Sequence, residues 1–282
     1  MISGLMTRWR RVSDGDVDVV VERLATWPCA PGGEVRHMFA LETIRERGPS
    51  VVRVASNREG WAAAIVLPRQ VVVPCGDAPV IADAGIPNRT WRLVVGDAAA
   101  ADALLHRWGA HEPNLVVHAQ RFMVVDPAQV PPAADLPDPG LRRARPADVD
   151  GLAELAVELH VEDGYGGDPG RAGRRAYRRR MERAIQRGSV WTVGEVGSPL
   201  VKIERAVDSD RYGVQLSGIV VREEERRHGL GRAAVATAVR GALAERGGPV
   251  ALHVRADNEV ALRAYRAAGF VDAEEWRLAV RG

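Results

Sequence analysis

The chain of 282 residues is 46% hydrophobic and 27% charged, the balance of a soluble globular protein with one large or two ordinary domains. Lysine and arginine together number 39 against 37 acids, and a net charge of +2 excludes a protein built to grip a polyanion. Two cysteines, Cys29 and Cys75, can form neither a disulfide framework nor a metal cage, and the longest apolar run, 61–67, is far too short to span a membrane. Each cysteine reads as a small buried apolar residue. The opening residues carry no basic, apolar leader, so the expected compartment is the cytoplasm. Lys202 is the single lysine, and this bias with abundant alanine suggests a GC-rich bacterial genome.

Residues 14–25 place Val17, Val20, Val21 and Leu24 at helical spacing, and 35–47 form a second helix closed by Gly48-Pro49. Segments 51–55, 61–67 and 70–73 read as strands, 98–108 as a helix with Leu104 and Leu105 on its apolar side, and 115–125 as a strand. Pro127, Pro131, Pro132, Pro137 and Pro139 then hold 126–140 extended as a linker. The expected division is an α/β domain over 1–137 and a second domain over 138–282.

The second domain opens with a strand at 141–145 and a helix at 147–161, striped by Leu152, Leu155, Ala156 and Leu159. A glycine-rich loop at 163–170 leads to a helix at 174–188, with Tyr177, Met181, Ala184 and Ile185 inside and arginines outside. That arginine run reads as a solvated face. Strands follow at 190–195, 200–207 and 212–221, then a loop and helix, a strand at 249–255, a helix, and a last strand at 276–280.

Between the strand ending at Val221 and the helix from Leu230 lies Arg226-Arg227-His228-Gly229-Leu230-Gly231-Arg232. The first amides of a helix lack intrahelical partners and its N-terminus is positive, so a glycine-broken loop there is a ready anion site. The loop is neither a dinucleotide fingerprint nor a Walker loop. It resembles the Arg/Gln-x-x-Gly-x-Gly/Ala segment of GNAT acyl-CoA N-acyltransferases, through Arg226, Gly229 and Gly231. A second segment, Asn258-x-x-Ala261-x-x-x-Tyr265-x-x-x-Gly269-Phe270, resembles the pattern that follows it in that family.

The resemblance covers about 141–281 and implies a mixed, mostly antiparallel α/β (α+β) fold that binds acetyl-CoA. It implies cofactor contacts at Ile219, Val221, Arg226, Arg227, His228, Gly229, Leu230, Gly231, Arg232, Asn258 and Tyr265. The backbone near Ile219 and Val221 would pair with the pantetheine arm like an added strand. The first half, with no such loop, resembles a degenerate GNAT domain of a tandem protein, or is an unrelated α/β domain.

Acyl transfer to an amine needs a neutral nucleophile and a proton for the departing thiolate. Tyr265 matches the family's usual general acid. Many relatives carry glutamate where Gln215 aligns, and glutamine cannot take a proton; Glu204, Glu162 and Asp163 are the alternative bases, Glu204 being the one assigned a catalytic role, and direct attack by an already neutral amine needs none. His160 could line the acceptor mouth. No metal site, nucleic-acid partner or membrane contact is expected, and the molecule is a monomer or homodimer. The reading is an N-acetyltransferase acting on a primary amine of a small molecule, peptide or protein by direct transfer. A non-catalytic CoA-binding sensor or partner-binding module is the alternative, and peptidyl or aminoacyl transfer is a third reading that the intact loop disfavours.

Overall fold

The computed structural model describes residues 7–27, 33–68, 70–109, 112, 114–164 and 167–281. The chain forms two compact units, one of Met1–Phe122, Val254–Asp257 and Ala273–Gly282, the other of Met123–His253 and Asn258–Asp272. Cys29, and Tyr165 and Gly166 of the glycine-rich loop, lie outside the described residues.

The first unit opens with β1 (Arg10–Arg11), α1 (Val17–Ala25), α2 (Gly33–Arg36) and α3 (Met38–Arg47). Val20 and Leu24 are the buried stripe of α1. The single helix expected over 35–47 breaks at His37, whose Nδ1 lies 3.0 Å from the Leu24 carbonyl oxygen. Burial pulls the pKa of this ring down to about 4, so it stays neutral at physiological pH. Strands β2 (Val52–Asn57), β3 (Gly60–Leu67) and β4 (Val71–Gly76) are joined antiparallel in sequence order. After α4 (Ala78–Ala84), β5 (Leu93–Asp97) pairs parallel with β4, and α5 (Ala98–Gly109) and β6 (Leu115–Val125) follow. The sequence reading missed α4 and β5, because both are too short to display a period. Trp91, Leu104, Val72, Val94 and the alanines of β3 fill the core, with Cys75 buried as expected.

Residues 276–280, expected to close the second domain, instead pair antiparallel with β5, from Trp276 opposite Asp97 to Val280 opposite Leu93. Trp276, Leu278 and Ala279 are buried, so both faces of this stretch are covered, and Ala279 joins the apolar cluster of the first unit. The strand pattern was legible; its partner was not.

In the second unit the proline-rich segment is more than a spacer. It forms turns at Pro127–Gln129 and Ala133–Asp135, and the Asp126 amide donates to the Gly269 carbonyl at 2.9 Å. Gly269 has φ +99, and a Cβ there would meet the Val130 backbone at 3.0 Å, so this position in the motif requires glycine. Then come β7 (Arg142–Arg143), α6 (Val149–Glu162), α7 (Gly170–Gln186), β8 (Val190–Val193), β9 (Val201–Ser209) and β10 (Gly213–Val221). α8 (Leu230–Arg246), β11 (Val250–Arg255), α9 (Glu259–Arg266) and β12 (Phe270–Arg281) complete the chain. β7 to β10 pair antiparallel in order, and β11 is parallel to β10. Leu152 and Leu155 of α6 pack with Met181 and Ala184 of α7, confirming both apolar stripes.

Candidate active site

β10 registers with β11 over three residues, Val214, Gln215 and Leu216 opposite Val250, Ala251 and Leu252. Beyond Leu216 that ladder ends, so the β10 backbone opens on this side toward Val221. The pairing of β10 with β9 continues to Val221, with irregularities between Gln215 and Leu216 and between Ser217 and Val220. Gly218, at φ +53, forms the centre of the second irregularity. Ile219 and Val221 lie on the opened stretch.

The chain then turns through Glu223–Glu225 into the loop. Arg227 has φ +67 and Gly229 φ +79, two left-handed residues flanking His228, and left-handed turns of this kind form anion-binding concavities. Arg227 holds this conformation without glycine's freedom, which is local strain of the kind found at ligand sites. Gly229 opens α8 with no side-chain cap, leaving the first-turn amides around Leu230, Gly231 and Arg232 to face other partners. Gly231 serves a different purpose from Gly229: a Cβ there would lie 3.0 Å from Cγ2 of Val221, where helix and strand end approach. Arg227, His228 and Arg232 are exposed, and among the described residues neither arginine has a carboxylate partner. Arg226 is engaged. Its Nε donates to the Val221 carbonyl at 2.9 Å and its other edge reaches Glu162 at 2.7 Å.

Asn258 caps α9, its side chain accepting from the Ala261 amide at 3.1 Å. Tyr265, seven residues on, is buried, with its ring 6.0 Å from Phe270. Burial, with the nearby Asp163 carboxylate, pushes its pKa up, so the phenol carries its proton at neutral pH.

The candidate bases sit in different surroundings. Glu204 is buried between Lys202 at 2.6 Å and Arg180, whose Nη2 reaches its two oxygens at 3.0 and 2.8 Å. Burial alone would raise its pKa, but Lys202 and Arg180 outweigh burial and hold it below the ordinary value. A carboxylate so held is a weak proton acceptor. Gln215 is also buried, its Nε2 3.3 Å from Nδ1 of His253. Burial pulls the His253 pKa down to about 3, so this ring is neutral. Glu162 pairs with Arg226, and His160 lies 5.6 Å from the Tyr177 ring.

Lys202, Arg180 and His253 had no assigned role in the sequence reading. Lys202 alone left a signal, as the chain's single lysine on an otherwise apolar strand start. Among the described residues no cluster of histidine, cysteine or carboxylate could hold a metal ion, and no helix is long and apolar enough to cross a membrane.

The second unit is thus an α/β domain whose mixed sheet opens beside a left-handed loop, with a helix N-terminus receiving that loop. Residues 196–270 match the acetyltransferase (GNAT) family. That match lies within the C-terminal half of the chain. No curated protein sequence matches the chain. Among solved structures it resembles a GCN5-related N-acetyltransferase from Sphaerobacter thermophilus at 15% identity, covering 98% of this chain and 95% of that one with TM-score 0.59. An acetyltransferase of the GNAT family from Colwellia psychrerythraea aligns at 9% identity over 97% and 98%, with TM-score 0.57. A tandem GNAT protein from the clavulanic acid biosynthesis pathway aligns at 15% identity over 97% of each chain, with TM-score 0.52. At these identities the likeness is one of fold.

Proposed function

We propose that the C-terminal domain is an N-acetyltransferase that moves an acetyl group from acetyl-CoA to a primary amine by direct transfer. The observation that carries this reading is the conjunction of the opened β10 edge with the uncapped, left-handed entry to α8. The backbone at Ile219 and Val221 would take the pantetheine arm as an added strand, and the α8 first turn with Arg227, His228 and Arg232 would take the pyrophosphate. Arg226 shapes the loop from behind, tied to the strand end and to α6. Asn258 fixes the start of α9 and so the direction of Tyr265.

Acetyl-CoA supplies the acyl group as a thioester. Its thiol, with a pKa around ~8.5, needs a proton on departure, and the Tyr265 hydroxyl holds one. With Gln215 unable to accept a proton and Glu204 committed to two cations, the amine enters neutral. Glu204 then acts by positioning Lys202.

The first unit repeats the order of the second, strand and helices, three antiparallel strands, helix, parallel strand, helix, strand. We read it as a degenerate GNAT domain without a CoA loop, since α4 follows β4 almost directly. The full chain would be cytoplasmic and bacterial. Turnover of acetyl-CoA against a panel of small amines and peptides, followed by thiol release, tests the enzyme reading. Acetyl-CoA binding without turnover of any acceptor would favour a sensor.

A further inference from the structure

We infer that the first unit carries a binding site of its own for a small aromatic anion, an aryl carboxylate. A cavity of about 700 Å³ opens between α1, the edge of β1 to β3, and the residue that starts α4. That volume lies within the range of small-molecule sites. Buried Val12, Val20 and Val54 line it with apolar surface. Trp27 and Trp61, both only half-buried, form an aromatic wall, their ring centroids 6.1 Å apart and inclined by 39°. An inclined pair of indoles offers a planar ligand an edge and a face together.

The charge at the mouth selects the sign of the ligand. Arg10 and Arg23 line the cavity, and the Arg23 guanidinium stands 5.3 Å over the Trp61 ring. Among the described residues neither arginine is paired with a carboxylate. The two acids of the lining are already engaged. Asp16 accepts from the Ser13 hydroxyl at 2.7 Å, and Asp77 accepts the Trp61 amide at 2.9 Å. Neutral donors thus occupy both carboxylates, whereas the donors of both guanidinium groups stay open to a ligand, and guanidinium forks match a carboxylate's geometry.

A pyrophosphate is a poorer fit. α4 is seven residues long, carries proline in its first turn, and opens on the Asp77 carboxylate, so its N-terminus provides no cradle for phosphates. The site is therefore distinct in chemistry from the loop before α8.

The test is isothermal titration of the full chain with 2-naphthoate, alongside 2-naphthylmethanol as a probe of the same ring without the charge. Naphthoate should bind at one site per chain, and the alcohol should bind about tenfold more weakly or worse. The double variant Arg10→Ala, Arg23→Ala removes exposed, unpaired side chains, so its melting temperature should stay within about a degree while naphthoate affinity falls about tenfold or more. Trp61→Leu should weaken both probes. Absence of binding at millimolar naphthoate, equal binding of the alcohol, or affinity indifferent to the two arginines would overturn the inference.

Discussion

Nζ of Lys202 donates to the carbonyl oxygen of Gly218 at 2.6 Å, tying β9 to the irregular centre of β10 where that strand leaves β11. The same nitrogen lies 2.6 Å from Glu204, and both side chains are buried. Burial pulls the Lys202 pKa down while Glu204 pushes it up. Two acceptors at hydrogen-bonding distance argue that the ammonium form is kept. Lysine here acts as a backbone clamp, holding Gly218 so that the next residues present their backbone to the cleft.

Breaking this clamp should be expensive. Lys202→Met leaves a buried carboxylate with Arg180 alone, and removal of one member of a buried pair costs about 3–5 kcal/mol. Adding Glu204→Gln removes the stranded charge and should recover part of that loss. Urea unfolding at pH 7 of the wild type, both single variants and the double variant measures the coupling. Strictly additive losses would mean that the two side chains do not act as a pair.

A second buried charge sets an acid limit on the fold. Asp148 accepts from Arg142 at 2.8 and 3.0 Å and from the amides of Arg145 and Gly197 at 2.7 and 2.8 Å. Burial raises its pKa, but these donors outweigh burial and bring it down to about 2. Its folded pKa is thus below the unfolded value near ~3.9, so its stabilisation is complete above that value and is lost as pH falls through the folded one. Asp148→Asn should destabilise by about 2 kcal/mol at neutral pH, the scale of hydrogen bonds to a charged group. The gap between the two proteins should narrow below pH ~4 and close as pH falls through about 2, where the folded wild-type carboxyl protonates. Melting temperatures from pH 2 to pH 7 would show it; a gap constant down to the lowest pH would contradict the assignment.

The anion loop makes a separate prediction. Acetyl-CoA at ~100 times its Kd should stabilise the full chain by about 2.7 kcal/mol. Gly231→Asp places a carboxylate at the α8 N-terminus and crowds Val221, where an added Cβ would already sit 3.0 Å from Cγ2. The stabilisation by ligand should vanish in this variant. Arg226→Ala should weaken binding as well, by freeing the Val221 carbonyl and loosening the loop. If Gly231→Asp responds to acetyl-CoA as the wild type does, the pyrophosphate is not bound there.

Much of the second unit could be read from the chain because its elements are long and their motifs local. α8, with its loop, follows the apolar strand directly, and Gly229, Gly231, Asn258 and Gly269 each answer a backbone requirement that sequence displays. The readings that failed concern long-range partners. Nothing in 276–280 says that it will pair with β5 rather than close the second domain. Glu204 reads as a candidate base until Lys202 and Arg180 are seen converging on it. The cavity of the first unit joins Trp27 to Trp61, which are separated by α2, α3 and β2. Gln215 was the exception, since glutamine announces the missing base without any structure.

In the proposed reaction this domain performs acyl transfer with Tyr265 as the acid. Tyr265→Phe keeps the ring against Phe270 and removes one hydroxyl. Acetyl-CoA affinity should change little, since one hydrogen bond contributes about 0.5–1.5 kcal/mol net. The decisive measurement is thiol release with an accepted amine, comparing kcat of wild type and Tyr265→Phe. A fall of about 10²–10⁴-fold with binding preserved is the predicted result. Equal turnover in the two proteins would contradict it and leave water as the proton source.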